Sequence, residues 1–436
     1  NRDKYFKLSD INLDNQVRAI PDHDWTLENL VQAIIGFNSA DLKAFDERVQ
    51  LDLGQYLYDQ TLGQLPEEIQ YEFLSARVSQ VRIVSKDEWI LRLPWNLLAH
   101  QGIFLSVAGW AVSVSGKAET CDCLLPPSPR LLIIAPEPAG VAGTGAKDHL
   151  EELEDMLSSH DQLLSFGNKL KVAYTWEEFD EIVKDFQPEL IYYYGHGVGD
   201  SRKSRLLFAT GKNLEPVDKP IGDFANCLRK LHKPPILAYI NCCLGDAGGF
   251  LGAGVQLGDF IPAVITNRTV AYVSAAQAQA MSLWKNILLR AVSPHKAVAS
   301  LYAEMNVHEM STADIRWITP VLHAHYGQWE AKAPTPPDRL TQDPHWHLKI
   351  DRVSQYNAVI AQTLLMLNEQ KPKSLVFTWY GEQGQGIEIF HRRLWVELRE
   401  ALNNAFVHQV RPAWPQHLVN YHSSFSDRLC HTFGVN

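Results

Sequence analysis

The sequence predicts an α/β fold: a mostly parallel β-sheet with helices on both faces. Two observations carry that expectation. From Arg130 onward, apolar runs of strand length alternate with stretches of helical periodicity, and such alternation implies right-handed crossovers between parallel strands. The strand-like runs are also continuously apolar rather than apolar at every second residue, as strands covered on both faces are.

Taken in order, 131–135 (LLIIA) reads as a strand, 149–157 (HLEELEDML) as a helix and 170–174 (LKVAY) as a strand. Thr175, followed three residues later by Glu178, is a capping box. It opens a helix whose Phe179, Ile182, Val183 and Phe186 form one apolar stripe, made to pack on a sheet. A strand at 190–194, a helix at 221–231, strands at 236–241 and 262–266, and a helix at 274–291 follow. The first 125 residues are less regular, with a helix at 53–62 and strands near 80–84 and 103–107. Proline-rich stretches at 126–130 and 333–339 punctuate the chain, and the second reads as a linker because it can continue neither a helix nor a central strand. Past it, 374–380 reads as a strand and 387–406 as a long helix.

The expected organisation is a lead-in at 1–48, an N-terminal region at 49–128, an α/β core at 129–332, a linker at 333–345 and a partial α/β domain at 346–436. Because the chain starts at Asn1 rather than Met, the lead-in is expected to be cut from something longer.

Forty basic against fifty acidic residues, net −10, leave no footprint for nucleic acid and no basic membrane patch. No apolar stretch reaches the ~18 residues that span a bilayer. Cys121, Cys123, Cys227, Cys242, Cys243 and Cys430 are too sparse for a disulfide framework, so a reducing, cytoplasmic setting is expected.

Two strands end on reactive side chains: YYYGHG places His196 between glycines, and INCCLG ends on Cys242 and Cys243. Parallel sheets bind ligands at the carboxyl ends of their strands, so the fold brings these boxes together across 47 residues of sequence. A thiol that cuts an amide needs thiolate character, a proton donor for the leaving amine, and hydrogen-bond donors for the oxyanion. Cysteine, histidine and a main-chain N–H freed by Gly197 meet those needs. Neighbouring residues on a strand point to opposite faces, so one cysteine enters the site and the other the core; spacing alone does not say which. Zinc is the other chemistry open to these residues, but neither CDC (121–123) nor the Cys pair has C-x2–4-C spacing, and no metal or other cofactor is expected.

The two boxes resemble those of the caspase-like cysteine peptidases, in particular the CHAT family, related to caspases, separase and gingipains. LGQYLYDQTL (53–62), LRLPWNLL (91–98), 262–289 and 313–329 extend the resemblance in the right order over roughly residues 50 to 330. The resemblance implies a caspase-like sheet with Cys243 as nucleophile, His196 as acid–base group, and the N–H groups of Gly197 and Cys243 as oxyanion hole. Asn96 departs from a family box that often carries glutamate there. Asp200 and Asp246, beside the two boxes, are candidates for a substrate pocket that would select Arg or Lys before the cut. The same resemblance implies a bacterial defence effector silent until a regulatory partner or signal acts. Its substrate would be a companion protein, for example a gasdermin-like pore former. The alternative is an idle caspase-like scaffold that only binds partners.

In the C-terminal segment, GEQGQGIE (381–388) has the spacing of a phosphate loop, but Ile387 and Glu388 replace the Lys and Ser/Thr that would touch phosphate and metal. A carboxylate there repels phosphate, so no nucleotide binding is expected. The segment resembles an inactive STAND domain.

Overall fold

In a computed structural model of the chain, the described residues are 47–75, 80–126, 128–159, 169–200, 203–211, 213–243, 245, 252–268, 273–309 and 315–331. The chain divides into two compact units, Asn1–Thr335 and Pro336–Asn436. The second lies wholly outside the described residues, and with it the strand read at 374–380, the helix read at 387–406 and the glycine loop between them.

Helices α1 (Glu47–Asp59) and α2 (Glu67–Ser75) come first, then β1 (Gln80–Val84), α3 (Glu88–Arg92), β2 (Ala99–His100), β3 (Ile103–Phe104), β4 (Ala111–Ser115) and β5 (Cys121–Leu125). Next are β6 (Leu131–Ile134), α4 (Ala146–Ser159), β7 (Leu170–Ala173), α5 (Trp176–Phe186), β8 (Leu190–Tyr194), β9 (Gly197–Asp200), β10 (Lys203–Ala209), β11 (Pro216–Pro220) and α6 (Ile221–Arg229). Last come β12 (Leu237–Asn241), α7 (Ala253–Gly258), β13 (Ala263–Asn267), α8 (Val273–Trp284), α9 (Pro294–Glu309), β14 (Pro320–Ala324) and β15 (Tyr326–Ala331).

Eight strands form one sheet in the order β1-β4-β14-β13-β12-β8-β6-β7. Strands β7, β6, β8, β12 and β13 are mutually parallel. So are β14, β4 and β1. The two blocks meet at an antiparallel junction between β13 and β14. The fold is therefore α/β with a mostly parallel sheet.

Alternation along the buried strands sorts their side chains into two cores. Leu131, Ile133, Tyr192, Tyr239 and Ile265 face α4, α8 and α9, which contribute Leu153, Ala280, Trp284 and Leu301. Leu132, Ile134, Tyr193, Ile240 and Val264 face α5, α6 and α7, through Phe179, Val183, Phe224, Leu228 and Leu257. Helices thus cover both faces, which is why the strands carry no polar side.

The capping box forms as the sequence predicts. Thr175 Oγ1 accepts from Glu178 N at 3.2 Å, and the Glu178 carboxylate accepts from Thr175 N at 3.2 Å. Thr175→Ala is expected to cost about 1 kcal/mol of folding stability, read as a shift in the urea midpoint without a change in slope.

Some elements differ from expectation. The strand near 103–107 is reduced to Ile103–Phe104. Helix α6 stops at Arg229, and α8 ends at Trp284 in a π-helical turn, Lys285–Leu289. Strands not read from the sequence follow His196: β9 and β10 pair antiparallel and β11 completes a three-stranded sheet.

Candidate active site

In the five-stranded parallel block the first strand, β6, lies between the second, β7, and the third, β8. The chain therefore leaves β6 towards one side and β8 towards the other, and the diverging loops open a crevice at the carboxyl edge. Ligands of such sheets bind there. A pocket of about 240 Å³ occupies that crevice, lined by the loop 136–144 and by His196.

That loop is tied down at several points. The Glu137 carboxylate accepts from Ala146 N at 3.1 Å and Thr144 Oγ1 at 3.4 Å, which caps α4 where its dipole favours a negative charge. Tyr194 OH donates to Thr144 O at 2.8 Å, and Ala139 N donates to Leu214 O at 2.7 Å.

His196 leaves the end of β8 with its main chain fixed. Its carbonyl accepts from Leu207 N at 3.0 Å, and Tyr193 OH bridges the carbonyls of His196 and Leu207 at 3.0 and 2.7 Å. Its ring Nε2 lies 2.6 Å from Ala142 O. A carbonyl only accepts, so Nε2 carries a proton, and in the neutral ring Nδ1 holds the lone pair.

The neighbouring strand β12 ends at Asn241, whose side chain binds three other elements. Its Nδ2 donates to Ala276 O at 2.9 Å and to Tyr192 OH at 3.3 Å, and its Oδ1 accepts from Asn267 Nδ2 at 2.8 Å. Cys242 follows and belongs to the core with Tyr193 and Ile240; it is 3% exposed, and burial pushes its thiol well above the ordinary range. Cys243 is half-buried. Of the two, Cys243 is the residue more open to solvent.

Gly197 joins the two boxes. A Cβ at this position would meet Cys243 O at 2.1 Å and Cys242 Sγ at 2.8 Å. Only glycine lets the chain after His196 lie against the Cys243 carbonyl and the Cys242 side chain. The structure thus sets Gly197, the residue after His196, against the main chain of Cys243.

Asp200 ends β9, three residues beyond Gly197, and Asp246 lies outside the described residues. Among the described residues no cluster of His, Cys, Asp and Glu is placed to hold a metal. Sequence reasoning missed Ala142 as the acceptor for His196, Glu137 as the anchor of the loop, and Asn241 as a junction. The glycines at 140, 143 and 145, placed directly between β6 and α4, were the available signal for a functional loop.

Asn96, where the resemblance noted above often has glutamate, is buried. It donates from Nδ2 to Ile318 O at 2.8 Å and Pro320 O at 3.4 Å, while its own carbonyl accepts from Ser106 Oγ at 2.6 Å. A carboxylate in that place would face carbonyl oxygens with no proton to offer. Asn96→Asp is expected to destabilise the fold by about 2 kcal/mol or more, measured by denaturant unfolding at neutral pH.

The fold and crevice define an α/β protein with a histidine at the switch point of a parallel sheet and a cysteine after the neighbouring strand. No protein-family model matches the chain, and no curated protein matches it. Among solved structures, it is similar to separase in the Saccharomyces cerevisiae separase–securin complex. That match has 12% identity and a TM-score of 0.36, and covers 63% of this chain and 18% of the separase-complex chain. A secreted C11 cysteine protease from Bacteroides thetaiotaomicron matches at 12% identity and TM-score 0.28, over 44% of this chain and 60% of its own. Chaetomium thermophilum Raptor matches at 10% identity and TM-score 0.26, over 65% and 35%. The chain spans less than a fifth of the separase chain. With every TM-score below 0.5, the functional reading rests on this chain's own residues. Among the described residues no helix is long and apolar enough to cross a membrane.

Proposed function

We propose that this chain is a cysteine endopeptidase of the caspase-like CHAT type, with Cys243 as nucleophile and His196 as acid–base group. The observation that carries this reading is the seat of Gly197 on the Cys243 carbonyl and the Cys242 side chain, which sets the histidine box against the half-buried cysteine.

In the reaction, the Cys243 thiolate attacks the scissile carbonyl carbon and the carbonyl π-bond closes onto oxygen. N–H groups of Gly197 and Cys243 hold the oxyanion. The tetrahedral species collapses with cleavage of the C–N bond, and His196, protonated at both nitrogens, gives the Nδ1 proton to the departing amine. Nε2 stays bonded to Ala142 O, which fixes the ring. Water, deprotonated by Nδ1, then hydrolyses the thioester and frees Cys243.

By the family resemblance, the substrate is a partner protein of a bacterial defence system, a gasdermin-like pore former being one, and a regulatory partner sets the timing. Incubating the protein and its Cys243→Ala variant with an unfolded proteome, and sequencing new N-termini, tests the peptidase reading. Cuts made only by the intact protein are expected; equal cutting by Cys243→Ala removes the assignment. The residue before each cut reports on the charge of the substrate pocket, including Asp200 and Asp246. Cleavage of a purified gasdermin-like protein tests the substrate separately.

A further inference from the structure

Among the described residues, the hairpin after His196 leaves one edge of backbone without a paired strand, beginning at the candidate site. β9 is the outer strand of the three-stranded sheet β11-β10-β9. Its register pairs Gly197 with Leu206, Val198 with Arg205, Gly199 with Ser204 and Asp200 with Lys203. Leu207 N donates to His196 O, directly opposite, at 3.0 Å. Hydrogen-bonded and non-bonded pairs alternate along an antiparallel ladder. Val198 and Asp200 therefore turn their N–H and C=O groups to β10, and Gly197 and Gly199 turn theirs away from it.

Residues 195, 197 and 199 are all glycine, so every second position of this stretch lacks a side chain. Glycine inside a strand often marks a place where another backbone approaches closely. At Gly197 the approaching backbone on one face is already visible, the carbonyl of Cys243. Among the described residues no strand pairs with the outer edge of β9. Exposed strand edges are normally blunted by proline, lysine or a covering segment, and β9, Gly-Val-Gly-Asp, has neither proline nor lysine.

We propose that the outer edge of β9 is a docking strand for an extended polypeptide, which adds as a further strand through the main chains of Gly197 and Gly199. The occupant is an unfolded, strand-competent segment of the protein to be cut. This inference rests on the peptidase reading for its purpose, though not for its geometry. Strand addition draws affinity from main-chain hydrogen bonds and is tolerant of sequence. It also delivers the peptide in register: a carbonyl that accepts from Gly197 N–H lies beside Cys243, and the next contact falls two residues along, at Gly199.

Proline is tolerated where an edge strand's N–H points outward, so Gly199→Pro removes the proposed donor while leaving the ladder to β10 intact. In a Cys243→Ala background, with fluorescein-labelled unfolded casein as probe, Gly199→Pro is expected to raise Kd about 10- to 100-fold with little change in melting temperature. Gly199→Ala keeps the N–H and is expected to lose less. Amide exchange in the Cys243→Ala protein gives a second reading that needs no change at residue 199. Casein should slow exchange at Gly197 and Gly199 and leave Val198, already bonded to Arg205, unchanged. Equal casein affinity in the Gly199→Pro and parent proteins, or no protection at Gly199, overturns the docking strand. Casein binding that needs Gly199, without cleavage by the Cys243-intact protein, supports docking while removing the peptidase reading. Cleavage that is indifferent to Gly199 does the reverse.

Discussion

Gly197→Ala is expected to lower kcat/KM for peptide cleavage by about 100-fold or more, the scale of a displacement of ~1 Å at a reacting centre. Its Cβ would lie 2.1 Å from Cys243 O, a main-chain atom that cannot rotate away. Either β9 withdraws or the Cys243 carbonyl shifts, and both change the relation of the histidine box to Cys243. The overlap is also expected to cost about 1–3 kcal/mol of stability. Gly195→Ala is the comparison, since its Cβ would meet Tyr193 OH at 3.0 Å and Pro136 Cδ at 3.3 Å, softer contacts farther from the thiol. Kinetics and melting curves of the pair separate the two effects. A fully active Gly197→Ala protein would mean that the contact does not align the site.

Stability is expected to fall by several kcal/mol between pH 6.5 and 4. Burial holds His149 down to about 4 and, helped by the charge of Arg82, holds His295 down to about 3. His149 binds Tyr192 OH at 2.8 Å; His295 binds Tyr326 OH and, at 2.9 Å, Ser113 Oγ. Above pH 6.5 both rings are neutral whether folded or not, and neither contributes to the pH dependence. Below it the unfolded chain takes up protons that the fold excludes, so each ring lowers stability by up to about 1.4 kcal/mol per pH unit. The decline due to His149 ends near pH 4 and that due to His295 near pH 3. Urea unfolding at pH 7, 6, 5 and 4.5 measures the slope, and His149→Gln should flatten it. A stability constant over that range would show that neither ring is kept neutral.

The five parallel strands and the helix α5 were legible because burial on both faces leaves an unbroken apolar run, and because Thr175 and Glu178 announce the helix start. Cys242 and Cys243 could be split into core and site by strand alternation, though not assigned by it. The β9–β10 hairpin was hidden because glycines and charges dominate 197–205, and its order comes from main-chain pairing and from Tyr193 OH rather than from an apolar pattern. The partner of His196 was equally hidden. Ala142 acts through its carbonyl, and a main-chain oxygen leaves no trace in residue type. Asn96 was visible as an oddity, yet its reason lies with Ile318 and Pro320, more than two hundred residues away.

That distance bears on the order of assembly. β4 meets β14 at Val114 and His323; Trp317 Nε1 donates to Gln50 Oε1 at 2.9 Å, across 267 positions of chain. Strands β6 to β12 complete their pairings within residues 131–267. Short loops close at less entropic expense than long ones. A chain emerging from the ribosome can therefore finish the strands bearing His196 and Cys243 while β1 and β4 still wait for β14. Until then Val112, Val114 and Trp110, all buried in the finished protein, have no sheet to join. Residues 80–115, synthesised before the strands that bear His196 and Cys243, are fastened after them, and nascent chains halted before residue 320 should display that apolar surface to chaperones.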